Sequence, residues 1–370
     1  MKILLLSDSN SPHTFKWASA LAERGIEILL YSLPENLVDS YKKFKNIRIE
    51  SAGVKESKQF KNEANLSKIT YLLSLLKIKK LIKEFKPDIL HAHYATSYGL
   101  LGALSRFHPF VISVWGTDII SFPNASFLHK KLLQFNFKKA DKILATSRYL
   151  AKETNKFTSK KIEITPFGVN TVQFAPASVK TPFNIPAEGQ IIIGCIKRLE
   201  DTYGIDYLIK AFKIVKDKNL DKKLKLLLVG EGSKLNFYKN LADELSVEAD
   251  VFFAGKIPYE KIADYHNMMD IAVYISLYES FGVAVLEASA CEKPVIVSNA
   301  GGLPEVVENN RTGLIIEPKN IEQTADAIDK LVNDPELRCK MGEEGRKLVR
   351  EKYEWSNCLD KLIKIYEEVV

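Results

Sequence analysis

At 370 residues, 46% hydrophobic and 27% charged, the chain has the composition of a soluble globular protein and the length of two ordinary domains. No apolar run approaches the ~20 residues that span a bilayer. The four cysteines (Cys195, Cys291, Cys339, Cys358) are too scattered for a metal knuckle or a disulfide framework, which points to a reducing, cytoplasmic setting. The net charge of +7 hides an asymmetry: residues 1–175 carry 27 Lys/Arg against 14 Asp/Glu and the remainder 26 against 32, so two domains with different partners are expected.

The chain opens on KILLLSDS, an apolar run that ends at Leu6 before Asp8. It is too short for a signal peptide and reads as a first strand. A helical pattern follows at Phe15–Arg24, then the runs IEILLYS, PDILHAHY, FVISVWG and KILATS with helical segments between them. Short β-rich runs separated by helices predict a parallel sheet covered on both faces. Two of the helical segments are strongly basic. LSKITYLLSLLKIKKLIKEFKPD (66–88) sets Leu72, Leu75, Leu76, Leu81 and Ile82 against Lys77, Lys79, Lys80 and Lys83, and HKKLLQFNFKKADK adds a second cluster. Packing on the domain's own sheet with a solvated lysine face explains the pattern. Adhesion to an anionic membrane surface explains it too, whereas no recognised nucleic-acid motif accompanies the charge.

Residues 165–190 hold four prolines and no clear period, and read as a linker. Beyond them IIIGCIK, KLKLLLVGEG, DVFFAG, DIAVYIS, PVIVSN and TGLIIEP are strands, with helices after most of them. The tail SNCLDKLIKIYEEVV places Leu359, Leu362, Ile363, Ile365 and Tyr366 on one helical stripe, with no strand after it. That stripe needs an apolar surface to cover.

Doubly wound domains carry their ligand sites at the carboxyl ends of the strands. There the sequence reads YESFGVAVLEASACEKPVIVSNAGGLPE (278–305), with a helix beginning near Val283. The backbone N–H groups near Gly282 and Val283 then form a helix N-terminus open to an anion. Glu279 stands just before the helix and Glu287 inside it, and ionised carboxylates are strong acceptors for hydroxyl groups. A ligand with a phosphate centre and hydroxyls at both ends fits, and a nucleotide sugar is such a ligand. Lys197 and Arg198 at the end of the run 191–196 are placed to neutralise a diphosphate. VGEG (229–232, with Gly230) and AGGLPE (300–305) are glycine turns on the same rim. No D-x-D is present, so nothing advertises a divalent ion, and helix dipole plus Lys197 and Arg198 can carry the leaving-group charge instead. No G-x-G-x-x-G follows the first strand, which argues against a dinucleotide.

ESFGVAVLEASACEKPVIVSNAGGLPEVVENNRTGLIIEP is similar to the E-x7-E signature region of the retaining glycosyltransferases of family four (glycosyl transferases group 1), and KRLEDTYGIDYLIKAF, LLLVGEGS, DILHAHYA and ITPFGVNTVQF resemble its other landmarks. The resemblance implies an α/β chain of the GT-B fold: two Rossmann-like domains with parallel sheets facing a central cleft. It implies an acceptor-binding domain over 1–170, a nucleotide-sugar donor-binding domain over 171–353, and a return helix over 354–370 that packs on the first domain. By the same resemblance Glu279 holds hydroxyls of the donor sugar, Glu287 the ribose hydroxyls and Arg198 the diphosphate. Ser280, Phe281, Gly282, Val283 and Gly230 belong to the donor pocket, and His93, Trp115, Gly116 and Asp118 to the acceptor side of the cleft, where His13 of the chain's own first loop is a candidate acceptor or phosphate contact.

Three departures stand out. The Lys that family members carry before the glycine matching Gly204 is here Tyr203, with Lys197 as the substitute charge. The family's His-Gly turn is Trp115-Gly116, and the first loop, SDSNSPHTFKW, offers His13 and Lys16 in place of glycines. The implied activity is retaining, metal-independent transfer of a hexose from a nucleotide-diphosphate sugar to a glycan or lipid-linked acceptor, in cell-surface polysaccharide or glycolipid synthesis. No cofactor beyond the nucleotide sugar is expected and no nucleic acid, with peripheral attachment at the inner face of a membrane. The rivals are an epimerase of the same fold and a non-catalytic nucleotide-sugar binder, the latter suggested by Trp115 and Tyr203.

Overall fold

The computed structural model describes residues 1–35, 39–54, 68–179 and 189–370. The apolar runs of the first half form strands Lys2–Leu6 (β1), Glu27–Pro34 (β2), Ile89–His93 (β4), Phe110–Val114 (β5) and Lys142–Ala145 (β6). Two strands absent from the sequence reading, Ile47–Val54 (β3) and Ile162–Ile164 (β7), complete the sheet. All pairs are parallel in the order β3-β2-β1-β4-β5-β6-β7. The two additions are its edges, half exposed and therefore without the continuous apolar run that betrays a central strand. The first helix is Pro12–Glu23, three residues earlier than its apolar pattern suggests, because Pro12 supplies a helical φ at the position where its missing N–H costs nothing.

The second half forms Gln190–Ile196 (β8), Lys223–Val229 (β9), Val251–Gly255 (β10), Ile271–Tyr274 (β11), Val295–Ser298 (β12) and Gly313–Ile316 (β13). These are the six expected strands, all parallel, in the order β10-β9-β8-β11-β12-β13. In each sheet the order reverses beside the first strand, between β1 and β4 and between β8 and β11. Those switch points open the crevices where ligands of such sheets bind.

The chain divides into two compact units, Met1–Pro166 with Cys358–Val370, and Phe167–Asn357. Phe167–Asn170 and Glu354–Asn357, which the sequence reading places in the first domain and the return segment, therefore lie in the second unit. The expected linker at 165–190 needs the same correction. Phe167, Val169 and Phe174 are buried, and Val169 exchanges backbone hydrogen bonds with Tyr353 and Trp355. Residues 180–188 of that stretch, and Leu66 and Ser67 of the basic helix, lie outside the described residues.

The tail helix Trp355–Glu367 carries its stripe into the first unit, burying Leu359, Leu362, Ile365 and Tyr366. Tyr366 shares a 2.6 Å hydrogen bond with His91 Nδ1, and the other ring nitrogen of His91 meets Ser113 Oγ at 2.8 Å. Burial pushes the His91 titration down to about 3, so the ring is neutral, with one nitrogen donating and the other accepting. Arg24–Asp360 (2.6 Å) and Lys142–Glu368 (3.5 Å) tie the helix at its margins. Among the described residues no helix is long and apolar enough to cross a membrane.

Candidate active site

The carboxyl edge of the second sheet is assembled by glycines. The loop after β8 lies against the turn after β9: Lys197 N–H donates to Val229 O, and a Cβ on Gly230 (φ 137°) would sit 2.0 Å from the Lys197 carbonyl oxygen. The loop after β11 is held in the same way. Gly302 N–H donates to Glu279 O at 2.9 Å, and a Cβ on Gly301 (φ 58°) would fall 1.9 Å from that oxygen. Only a residue without a side chain allows either approach. The two glycine turns thus fix the backbone of Lys197 and Glu279 on adjoining loops.

Their side chains meet. The Lys197 ammonium donates to Glu279 Oε2 in a nearly buried ion pair, and it also lies 5.1 Å from the centre of the Tyr203 ring. Burial alone would pull the lysine titration down, but the Glu279 charge and hydrogen bond outweigh it and raise it above its ordinary value. Tyr203, standing where a second lysine was expected, serves as a π-face for the first. Arg198 is not part of this pair. Its side chain is 69% exposed and reaches Glu200 at 3.3 Å, a carboxylate that also accepts from Ser233 N–H and Oγ. Cys195, two positions before Lys197, is buried, its thiol pushed up to about 12 by burial, which makes it an inert core residue.

Helix Val283–Ala290 begins immediately after this pair. Its N-cap is Gly282 (φ 110°), and no side chain caps it; Val285 N–H donates to Gly282 O, so the N–H groups of Val283 and Ala284 are the ones the helix start presents to an anion beside a lysine. Phe281 is buried and Ser280 half-buried in the connecting loop. Glu287, five positions into the helix, is 6% exposed. The chain supplies one hydrogen bond to it, from Tyr259 Oη–H to Oε1 at 3.3 Å, while the fully buried His266 places Nε2 3.6 Å from Oε2, beyond hydrogen-bond distance. Burial, with the Glu287 charge adding to it, raises the Tyr259 titration, so its hydroxyl stays protonated and remains a donor.

The five acceptor-side residues lie at the carboxyl edge of the first sheet. His93 ends β4; Trp115 follows β5, and their rings are 4.4 Å apart. His13, in the first turn of Pro12–Glu23, meets the same indole edge-on at 5.9 Å, and Tyr94 approaches it at 5.3 Å. His93 Nδ1 shares a 3.0 Å hydrogen bond with Ser7 Oγ, which is linked to Thr14 Oγ1 at 2.7 Å, and burial holds the His93 titration well below its ordinary value. Asp118 is placed differently. It is buried, and its carboxylate accepts from the N–H groups of Ala95 (2.9 Å), Gly116 (2.8 Å) and Trp115 (3.2 Å). Burial raises its titration and the amides oppose that rise. Its oxygens hold the loops after β4 and β5 together.

The family model of glycosyl transferases group 1 matches residues 180–348, and that of the glycosyl transferase 4-like family matches residues 2–147. The N-acetyl-alpha-D-glucosaminyl L-malate synthase of Bacillus anthracis is 30% identical over 369 residues, covering 95% of this chain and 91% of that one. The chain belongs to the group 1 glycosyl transferases. The capsular polysaccharide biosynthesis glycosyltransferase CapM of Staphylococcus aureus is 28% identical over 358 residues, covering 88% of this chain and 90% of its own. The crystal structure of HepE from Anabaena in complex with UDP matches with a TM-score of 0.81 at 18% identity, covering 100% of both chains, which shows the shared GT-B fold.

In this group 1 glycosyl transferase two residues beside the signature helix escaped the sequence reading. Tyr259 and His266 sit in IPYEKIADYHNM, after β10, and nothing in that stretch links them to a carboxylate more than twenty positions later. A histidine among the half-apolar positions of a short helix was the available signal.

Proposed function

We propose that this glycosyltransferase is a retaining, metal-independent enzyme that moves a hexose from a nucleotide-diphosphate sugar to a glycan or lipid-linked acceptor. The observation that carries the reading is the Lys197–Glu279 pair set against the uncapped start of helix Val283–Ala290. A nucleoside diphosphate departs with the electron pair of the C1–O bond, so the site must receive growing negative charge. The helix N-terminus and the Lys197 ammonium offer that without an ion. Exposed Arg198 is free to leave Glu200 for the same phosphates.

When a donor binds, Glu279 exchanges its lysine contact for sugar hydroxyls, and Lys197 turns from carboxylate to diphosphate. Glu287, oriented by Tyr259 and His266, takes the ribose hydroxyls. On the acceptor side, His13, His93 and Trp115 shape the surface on which the acceptor hydroxyl lies, and Asp118 positions their loops. The acceptor oxygen bonds to C1 on the face the diphosphate leaves, and its hydroxyl proton passes to the departing diphosphate oxygen. UDP in HepE, and a name that places CapM in capsular polysaccharide synthesis, support the donor and acceptor classes.

Thermal shift with a panel of nucleotide sugars, followed by turnover of any donor that stabilises the chain, tests the reading. A stabilising donor should release its nucleoside diphosphate in the presence of EDTA, and Glu279→Gln should bind that donor while turning it over far more slowly. Activity abolished by EDTA and restored by magnesium would contradict metal independence.

A further inference from the structure

Two histidines stand two positions apart on β4, and their surroundings differ. His91 has both ring nitrogens engaged, one by Tyr366 and the other by Ser113. The His93 ring, 4.8 Å away and tilted against Trp115, has one engaged: Nδ1 meets Ser7 Oγ at 3.0 Å. Among the described residues nothing hydrogen-bonds its Nε2, and that atom is not one of the enclosed polar atoms, so it opens at the carboxyl edge of the sheet. Polar groups of buried side chains find partners as a rule, so the open nitrogen of His93 points to a ligand.

Proton bookkeeping along Thr14–Ser7–His93 decides what that nitrogen offers. Thr14 is fully buried, and among the described residues its hydroxyl bonds only to Ser7 Oγ, at 2.7 Å. The fully buried Ser7 hydroxyl meets only Thr14 and His93. When Thr14 donates to Ser7 and Ser7 donates to Nδ1, both hydroxyl protons are used. With a proton on Nδ1 as well, three protons would share two hydrogen bonds and one buried donor would be stranded. Nδ1 is therefore the bare nitrogen. Burial keeps the ring neutral, and the neighbouring His91 and His13 add to that, so its single proton sits on Nε2.

An outward Nε2–H is a donor. It has no lone pair with which to take a proton, because the one on Nδ1 is bonded to Ser7. His93 is thus built to hold an oxygen in place rather than to act as a general base.

We propose that His93 orients the acceptor, with Nε2–H donating to the oxygen of the reacting hydroxyl. That oxygen keeps a lone pair for C1, and its own proton is turned away from the imidazole. As the bond from C1 to the diphosphate oxygen breaks, the bond from the acceptor oxygen to C1 forms. The hydroxyl proton passes to the departing diphosphate, and His93 begins and ends the step neutral. The inference rests on the proposed transfer from a nucleotide-diphosphate sugar to a hydroxyl acceptor.

Long-range proton–nitrogen correlation spectra of the full chain labelled with 15N-histidine read the tautomer at neutral pH. His93, assigned by the signals that His93→Gln removes, should show a protonated Nε2 and a bare Nδ1. A proton on Nδ1, alone or together with one on Nε2, would overturn the inference. Kinetics with the donor found by thermal shift, and a panel of free sugars and octyl glycosides as acceptors, separates donation from proton abstraction. His93→Asn places an amide oxygen where Ser7 can still donate but lacks the outward donor. It should lower kcat/KM for the acceptor by roughly tenfold, as expected for one hydrogen bond, and leave the KM of the donor unchanged. His93→Gln, whose amide N–H reaches the Nε2 position and which cannot act as a base, should restore most of the loss. Unaltered circular dichroism would show both variants folded. A fall of about 10²–10⁴-fold in both would mark a general base and overturn the inference. Wild-type transfer equalled by folded His93→Asn would sink this inference alone, whereas a wild type that transfers to no acceptor from any donor would sink the proposed function with it.

Discussion

Replacing Lys197 by Met would strand the Glu279 carboxylate. Both side chains are nearly buried, and the ammonium is held by that carboxylate and by the Tyr203 ring. Methionine keeps the length of the side chain and can still lie against Tyr203, so the change isolates the charge. Breaking one half of a buried ion pair costs about 3–5 kcal/mol, because the remaining charge has lost its partner and does not regain water. Glu279→Gln in the same chain should recover most of that loss, since a neutral amide beside methionine leaves no stranded charge. Hydrogen exchange read by mass spectrometry on peptides covering 190–203 and 271–290 measures the effect in the second unit directly. A loss of 3–5 kcal/mol accelerates exchange of the most protected amides by roughly 10²–10⁴-fold. The pH dependence has a definite sign. The folded-state lysine titrates above its ordinary 10.5, so its contribution is complete at neutral pH and is lost only as pH rises past that value. Wild type and Lys197→Met should therefore differ by a constant amount between pH 6 and pH 8. Unchanged exchange in Lys197→Met, or a double variant no better than the single, would refute a buried pair at this position.

Glu287→Ala should weaken nucleoside diphosphate binding by roughly ten- to a hundredfold, corresponding to the ~1.5–3 kcal/mol of a charged hydrogen bond, and titration calorimetry would show it; His266→Phe, which removes the imidazole packed beside Glu287 but leaves the Tyr259 hydrogen bond, should weaken binding less and only for nucleotides with ribose hydroxyls. Tyr366→Phe removes the partner of a buried His91 nitrogen and should cost the first unit about 1–3 kcal/mol, visible as faster exchange in β4 with no change in the second sheet. Gly301→Ala would force its new methyl group into the Glu279 carbonyl; the displaced loop should cost about 1–3 kcal/mol of backbone strain and lower turnover while leaving the surroundings of Glu287, and hence nucleotide affinity, nearly intact.

Central strands were legible because parallel sheets buried on both faces demand uninterrupted apolar runs, as in KILLL and VIVS. The edge strands β3 and β7 lack that demand, and one of their faces is partly open to water. The tail could be assigned a buried stripe from Leu359, Leu362, Ile365 and Tyr366, whereas its bond to His91 could not be read from a sequence separation of 275 residues. Glu279, Gly282 and Glu287 were legible together because one loop and one helix carry them all. Lys197 and Arg198 were legible as a basic pair, but which of them faces Glu279 depends on the direction each side chain takes at the end of β8. The resemblance alone placed Asp118 on the acceptor side; that three backbone amides take up its oxygens is decided by the turn that the chain makes at Gly116. Tyr259 and His266 became visible beside Glu287 only through tertiary packing.

The account's central claim is transfer with retention and without a metal. Proton NMR of the product formed from an α-linked nucleotide sugar, in the presence of EDTA, tests it most directly. The account predicts an α-linked product, with the small coupling between H1 and H2 that a gluco-configured sugar then shows, at a rate unchanged by the chelator. A β-linked product, or product that appears only after magnesium is restored, would contradict it.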